Sequence, residues 1–163
     1  MLHVRPATPD DAPEILALVR ELASYERAPD AVIATERSFL EHGFGERALF
    51  HVLMAEWDGT VAGFALYFFG FSTWTGAPVL YLEDLFVRPG FRKRKIGLGL
   101  MRALAEAAVA KGCGRFVWQV LDWNDPAIQF YESLGATVLR EWLTVRLEGD
   151  ALARLGKQAR SSS

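Results

Sequence analysis

Residues 81–100 constrain the fold of this chain more than any other segment. An apolar strand pattern that carries carboxylates runs into a basic loop, and the loop opens near Gly97 onto an alanine- and leucine-rich helix pattern. A helix N-terminus offers unpaired N–H groups and a partial positive charge, and the four basic residues Arg92–Lys95 add charge there. The segment therefore predicts a site for a phosphate-bearing molecule, with Glu83 close to its reactive end.

Length and composition indicate a globular chain. Of the 163 residues, 51% are apolar and 23% are charged, and the net charge of −2 argues against nucleic acid as a partner. The one cysteine, Cys113, excludes an internal disulfide, and the three histidines lack metal-ligand spacing, so we expect no metal. We find no secretory signal and no apolar run near ~20 residues, and we therefore expect no membrane partner and a cytoplasmic protein.

Hydrophobic periodicity predicts alternating strands and helices. Strands are expected at 2–5, 48–57, 60–71, 79–87 and 116–121, with one or two more at 137–147; helices are expected after residues 9–13 and at 35–42, 96–110 and 125–134. The Asp58-Gly59 pair between two apolar runs is typical of a β-hairpin. This order predicts one α/β domain with a mixed sheet over residues 1–150, followed by a partly disordered tail at 151–163.

Three common nucleotide or hydrolase motifs are excluded. A dinucleotide-binding Gly-x-Gly-x-x-Gly motif would need glycine where the chain has Arg102. The phosphate-binding Gly-x-x-x-x-Gly-Lys-Ser/Thr loop is absent, as is the Gly-x-Ser-x-Gly nucleophile elbow. The strand, basic loop and helix remain a candidate site for another phosphate-bearing molecule, and the alternative for the basic run is a solvated loop or a weak nucleic-acid patch.

The loop at residues 92–97 resembles the pyrophosphate-binding loop of the GNAT family of N-acetyltransferases. The likeness covers roughly residues 3–148 and points to the diamine (spermidine/spermine) and thialysine branch. It is carried by residues 5–8, 21–26, 43–46, 81–84, 121–126 and 130–136. The resemblance implies a single-domain α/β GNAT fold with a mixed, mostly antiparallel sheet and helices on both faces. It also implies acetyl-CoA as co-substrate and a homodimer.

The resemblance assigns roles to individual residues. Glu83 is the expected general base, because amines with a pKa near ~10 arrive as ammonium ions, and Tyr131 is the expected acid for the departing thiolate. The expected cofactor contacts are Leu85, Phe86, Val87, Arg92, Lys93, Arg94, Lys95, Ile96, Gly97, Leu98, Asn124, Ala127 and Tyr131. The expected acceptor contacts are Tyr25, Glu26, Trp74, Glu83 and Glu141.

Two features of residues 81–100 depend on the conformation of the backbone. Adjacent strand residues point to opposite faces, so we expect Glu83 and Asp84 not to share a cleft. Lys95 stands where the family usually has its first loop glycine. Lysine costs little there if the residue is helical and its ammonium helps to hold phosphate, whereas cofactor affinity suffers if close backbone approach requires glycine.

The expected reaction is direct acetyl transfer in a ternary complex to the amine of a small cationic acceptor. Residues 71–74 (Phe-Ser-Thr-Trp) lack the additional aspartate of the polyamine enzymes, which favours a small diamine or a lysine- or thialysine-like amino acid. Alternatives are a family member that acetylates a protein lysine or an antibiotic, a non-catalytic CoA-binding sensor, and a nucleic-acid-binding module that uses Arg92–Lys95.

Overall fold

The computed structural model describes residues 1–158. The chain divides into two compact units, the first spanning Met1–Leu121 and the second beginning at Asp122. In the first unit the elements are β1 (Leu2–Pro6), α1 (Ala12–Tyr25), α2 (Glu36–Gly43), β2 (His51–Trp57), β3 (Thr60–Ser72), β4 (Ala77–Val87), α3 (Ile96–Lys111) and β5 (Arg115–Trp118). In the second they are α4 (Asp125–Ser133) and α5 (Gly149–Gln158).

The sheet of the first unit runs in the order β1-β2-β3-β4-β5. The first four strands are antiparallel neighbours, and β5 pairs in parallel with β4, so the predicted mixed, mostly antiparallel sheet is confirmed. The predicted hairpin is confirmed as well, because Asp58 and Gly59 join β2 to β3 with φ angles of 49° and 80°. Positive φ at both central residues matches the right-handed twist of the flanking strands.

Helices cover both faces of this sheet. On one face, α1 and α2 enclose an apolar core in which Ile15 and Leu18 pack with Phe64 and Phe86. We call this side the α1 face. On the other face lies α3, whose Lys111 ammonium lies 5.3 Å from the ring of Phe69. The two layers hold β4 between them, and β4 carries Glu83 and Asp84.

Three expectations for the C-terminal half change. The fifth strand ends at Trp118 rather than 121, and residues 137–147 form no β-ladder in the described part of the chain. A strand is stable only where a neighbour accepts its hydrogen bonds, and Leu143 and Val145 in this segment are 84% and 92% exposed. Residues 149–158, most of which we assigned to a disordered tail, form α5; residues 159–163 lie outside the described residues.

Candidate active site

A β-bulge interrupts β4 at Glu83. Leu66 of β3 pairs with Asp84, but the next β3 residue, Tyr67, pairs with Leu82, so Glu83 is an extra residue without a partner in the ladder. Bulges bend a strand and redirect side chains, and they are common beside active sites. The expected base thus occupies a local irregularity of the sheet, where its side chain is exposed.

The bulge changes the alternation of side chains along β4, which the expectation for Glu83 and Asp84 took to be regular. Directly paired residues share a face, so Asp84 lies with Leu66 and Tyr81 lies with Phe68, whose ring centroid is 5.0 Å from that of Tyr81. Leu66 belongs to the core on the α1 face, and the alternation of β3 puts Phe68 on the same face. Tyr81 and Asp84 therefore share the α1 face although three positions separate them.

A third carboxylate approaches from α1, where Glu26 is the C-terminal cap. We call Glu26, Glu83 and Asp84 the carboxyl cluster. Burial, followed by the negative charges of Glu83 and Glu26, raises the pKa of Asp84 to about 7. Burial also raises the pKa of Glu26, and burial followed by the charges of Glu83 and Asp84 raises the pKa of Tyr81. Asp84 and Tyr81 thus lie within electrostatic reach of their acidic neighbours.

No arginine or lysine neutralises this cluster in the described part of the chain. The ion pairs at residues 1–158 involve other carboxylates, such as Glu14 and Glu21 with Arg88, and Asp11 and Glu56 with Arg5. Buried or half-buried carboxylates are normally paired with a cation or become protonated. The cluster is therefore suited to bind a positively charged group from outside the chain.

The backbone of β4 is open along one edge beside the cluster. Pairing with β5 ends at Leu82 and Trp118, whereas β4 continues to Val87. The Arg88 N–H donates to the carbonyl of Ala62 in β3 at 2.8 Å, so alternation turns the N–H groups of Leu85 and Val87 to the other, unpaired side. The backbone of Phe86 is directed at β3, and its side chain is buried in the core. We call residues 83–87 on this side the open edge.

The start of α3 presents free backbone donors. Lys95 is its N-cap, makes no side-chain capping hydrogen bond and has left-handed backbone angles (φ 60°, ψ 20°). The first bond within the helix runs from the Gly99 N–H to the Lys95 carbonyl at 2.9 Å, so the N–H groups of Ile96, Gly97 and Leu98 have no acceptor inside the helix. A left-handed residue followed by helical ones forms a concave row of N–H groups that suits an anion.

The basic loop packs partly on aromatic rings. The Arg92 guanidinium lies 5.0 Å from the Tyr25 ring centroid, and its Nε donates to the Val87 carbonyl at 3.2 Å. Arg94 lies 5.1 Å from the ring of Trp57. Lys93 shares the left-handed conformation of Lys95, with φ 64°, and both side chains are exposed. Arg92 and Tyr25 thus join the expected cofactor loop to the end of α1, which carries Glu26.

Sequence reasoning missed Arg88, which fixes the geometry of this region. Its guanidinium bonds to Glu14 at 2.6 Å, to Glu21 at 2.8 Å and to the Val61 carbonyl at 3.0 Å. These contacts hold the end of β4 against α1 and thereby fix the separation between the open edge and Glu26. The available signal was residues 21–26, whose first member, Glu21, is one of the two carboxylates that hold Arg88.

The second unit holds the remaining expected residues. Asn124 is the N-cap of α4, and its side-chain oxygen accepts from the Ala127 N–H at 3.4 Å, so it caps the helix. Tyr131 is half-buried on the same helix, with its ring centroid 5.5 Å from that of Phe130. Glu141 is exposed in the irregular segment that follows. Their assigned roles stay predictions.

Among the expected acceptor contacts of the first unit, Trp74 lies far from the carboxyl cluster. It belongs to the turn between β3 and β4 and is 80% exposed. At ~3.3 Å per residue, the first residue of β4, Ala77, already lies ~20 Å from Glu83 along the strand, and Trp74 precedes Ala77 in the chain. By contrast, Tyr25 and Glu26 lie at the end of α1, and Asp84, the neighbour of Glu83 in the chain, is on the α1 face.

Glycine at position 95 is expected to stabilise the fold by about 0.5–1 kcal/mol. A non-glycine residue in the left-handed region costs about 1–2 kcal/mol, and the entropy that glycine loses on folding offsets part of this gain. Urea unfolding of Lys95→Gly measures it, with Ala105→Gly on the exposed interior of α3 as a control that should destabilise by about 1 kcal/mol. Equal destabilisation in both variants would show that Lys95 is not strained.

Residues 1–158 contain neither a membrane-spanning helix nor a metal-binding cluster of side chains. None of the helices there is both long and apolar enough to cross a bilayer. Nor do three or more histidine, cysteine, aspartate or glutamate side chains come together there in an arrangement that would hold a metal ion.

Comparison with known proteins identifies the family. The Acetyltransferase (GNAT) family model matches residues 14–136. Thialysine N-epsilon-acetyltransferase of Sus scrofa is 40% identical over 163 aligned residues, which cover 93% of this chain and 95% of that protein. L-ornithine N5-acetyltransferase of Arabidopsis thaliana is 31% identical, with 95% of this chain and 88% of that protein covered. An integron cassette protein from the mobile metagenome of V. cholerae superposes with a TM-score of 0.80 at 31% identity, covering 96% of this chain and 98% of that one. The chain therefore belongs to the GNAT family and is an N-acetyltransferase.

Proposed function

We propose that this enzyme transfers the acetyl group of acetyl-CoA to a primary amine of a small cationic acceptor, directly within a ternary complex. The observation that supports this best is the carboxyl cluster, which lacks a cationic partner among residues 1–158 and lies beside the open edge of β4. A cationic amine supplies the missing positive charge. The open edge gives an extended thioester arm a backbone with which to pair.

The residues near α3 fit the phosphate-bearing end of acetyl-CoA. The N–H groups of Ile96, Gly97 and Leu98 would bind the pyrophosphate, and the positive end of the helix dipole favours it. The basic residues Arg92–Lys95 would add charge. Leu85 would pair with the pantetheine arm through its N–H and C=O groups and Val87 through its N–H, because the Val87 carbonyl already accepts from Arg92. We retain Asn124, Ala127 and Tyr131 as further cofactor contacts on the strength of the family resemblance.

In the mechanism that we propose, Glu83 removes a proton from the acceptor's ammonium group. The neutral amine nitrogen then attacks the thioester carbonyl, so that a C–N bond forms and the C–S bond breaks. An N–H of the open edge stabilises the oxyanion of the tetrahedral species. Tyr131 donates a proton to the departing thiolate and recovers one from the acylated nitrogen. One proton per turnover is released to solvent.

The acceptor that we favour is thialysine, lysine, ornithine or a small diamine. Members of the family at 31–40% identity are named for thialysine and ornithine, each of which carries a terminal primary amine. Tyr25 and Glu26, at the end of α1, are the proposed acceptor contacts, with Trp74 and Glu141 as additional ones. We also propose a homodimer and a cytoplasmic location, and light scattering tests the former.

Thiol release from acetyl-CoA tests this function. We expect release with thialysine, lysine, ornithine or putrescine to exceed release with a basic peptide or an aminoglycoside by at least tenfold in kcat/KM. Omission of the amine provides the background rate. Binding of CoA without thiol release for any amine would instead indicate a CoA-binding sensor. Preference for the peptide or the aminoglycoside would move the enzyme to another acceptor class within the family.

A further inference from the structure

Asp84 differs from Glu83 in its surroundings although the two are neighbours in sequence. Asp84 pairs with Leu66 in the regular ladder and is mostly buried on the α1 face, whereas Glu83 is the extra residue of the bulge and is exposed. The bulge moves the next residue, Asp84, onto the face where Tyr81 and Glu26 lie. The site therefore presents two adjacent carboxyl groups of unlike environment.

The groups that face Asp84 disfavour a negative charge on it. Glu83 acts from its own strand and Glu26 from the end of α1, and both are acidic. The hydroxyl of Tyr81 lies on the same face, and the cross-strand partner Leu66 is apolar. Among residues 1–158, no cation pairs with Asp84. With its pKa raised to about 7, Asp84 can both hold and release a proton near neutral pH.

We propose that Asp84 is a second proton-accepting residue of the acetyl transfer, which takes up the proton that leaves the acceptor's ammonium group while Glu83 holds that group beside the open edge. This inference rests on the proposed function, because it needs an ammonium group in the carboxyl cluster. It refines the general mechanism by placing the removed proton on the more buried carboxyl group, either directly or by transfer from Glu83.

The protons and bonds balance as follows. The arriving ammonium group favours ionised Asp84, because its positive charge offsets those of Glu26 and Glu83. One N–H bond breaks and the proton passes to the Asp84 carboxylate, which leaves a neutral amine to attack the thioester. The second proton that the nitrogen loses ends on the thiol sulfur through Tyr131. After the uncharged amide leaves, Asp84 returns its proton to solvent, which gives one released proton per turnover.

The test compares Asp84→Asn with Glu83→Gln and wild type in steady-state kinetics from pH 5.5 to 9. Wild-type kcat/KM for the preferred amine should rise with an apparent pKa near ~7, in addition to the titration of the amine near ~10. Asp84→Asn should lose that rise and at least 10²-fold in kcat, while Kd for CoA stays within twofold. Asp84→Glu should recover part of the rise. Asp10→Asn, on an exposed turn before α1, is the matched control and should behave as wild type.

The failure of this inference differs from the failure of the proposed function. An active wild type whose Asp84→Asn variant keeps kcat/KM within threefold and shows the same pH profile overturns the inference alone. A wild type that releases no thiol with any amine overturns both. Far-UV circular dichroism and a melting temperature at or above that of wild type identify Asp84→Asn as folded. The wild-type pH profile is a second measurement, since the absence of a rise near neutral pH contradicts the inference without any variant.

Discussion

Replacement of Glu83 by Gln is expected to lower kcat for the preferred amine by about 10²–10³-fold. The amide keeps the size of the side chain but cannot accept a proton or attract the ammonium group as strongly. Because Glu83 is exposed and is the unpaired residue of the bulge, we expect the fold to tolerate the change, and Kd for CoA should stay within twofold. Thiol-release kinetics and calorimetric CoA titration measure the two quantities.

The matched control for this prediction is Glu106→Gln on the exposed side of α3, which should keep the wild-type kcat. Tyr131→Phe belongs in the same series, because it removes the proposed proton donor and leaves the ring in place. It should lower kcat by about 10–10³-fold, and the loss should be smaller for an acyl donor whose thiol is more acidic. A wild-type kcat in Glu83→Gln would show that another group is the general base.

The sequence was sufficient to predict features that depend on local chemistry. Asp58 and Gly59 determine a tight hairpin by their tolerance of positive φ, and the glycines after α3 mark where that helix ends. Hydrophobic periodicity placed Glu83 on a strand at 79–87, and the family resemblance added the mostly antiparallel sheet and the role expected of Glu83. These features follow from short segments and fixed spacings, which a single sequence displays.

The features that escaped prediction depend on pairing between distant segments. The bulge at Glu83 is a shift of one residue in the register of β3 against β4, and such a shift depends on how the two strands pair rather than on the sequence of either strand alone. The face of Asp84 follows from that register. Lys95 is left-handed because the chain must turn from the basic loop into α3, and lysine itself does not reveal this.

The second large effect concerns stability. Asp84→Asn is expected to raise the free energy of unfolding by about 4 kcal/mol at pH 8.5 and by less than about 1 kcal/mol at pH 4. The folded-state pKa of about 7 lies above the ordinary value of 3.8, so the folded protein binds the proton more tightly than the unfolded chain does. The contribution of this group to the stability of the wild type is therefore most favourable while it is protonated, and that contribution falls as the pH rises from about 4 to 7. Asparagine is neutral throughout and removes that fall.

Urea unfolding of wild type, Asp84→Asn and Asp10→Asn between pH 4 and 8.5 measures this difference, and the gain at pH 8.5 corresponds to a melting temperature roughly 8–16 °C higher. Asp10→Asn should follow the wild-type curve. A stabilised variant that has also lost activity would show that burial of Asp84 is retained for the reaction at a cost in stability. If Asp84→Asn is less stable than wild type at pH 8.5, the carboxylate has a partner that stabilises its charge, and the cluster is not the uncompensated cation site on which the proposed acceptor binding depends.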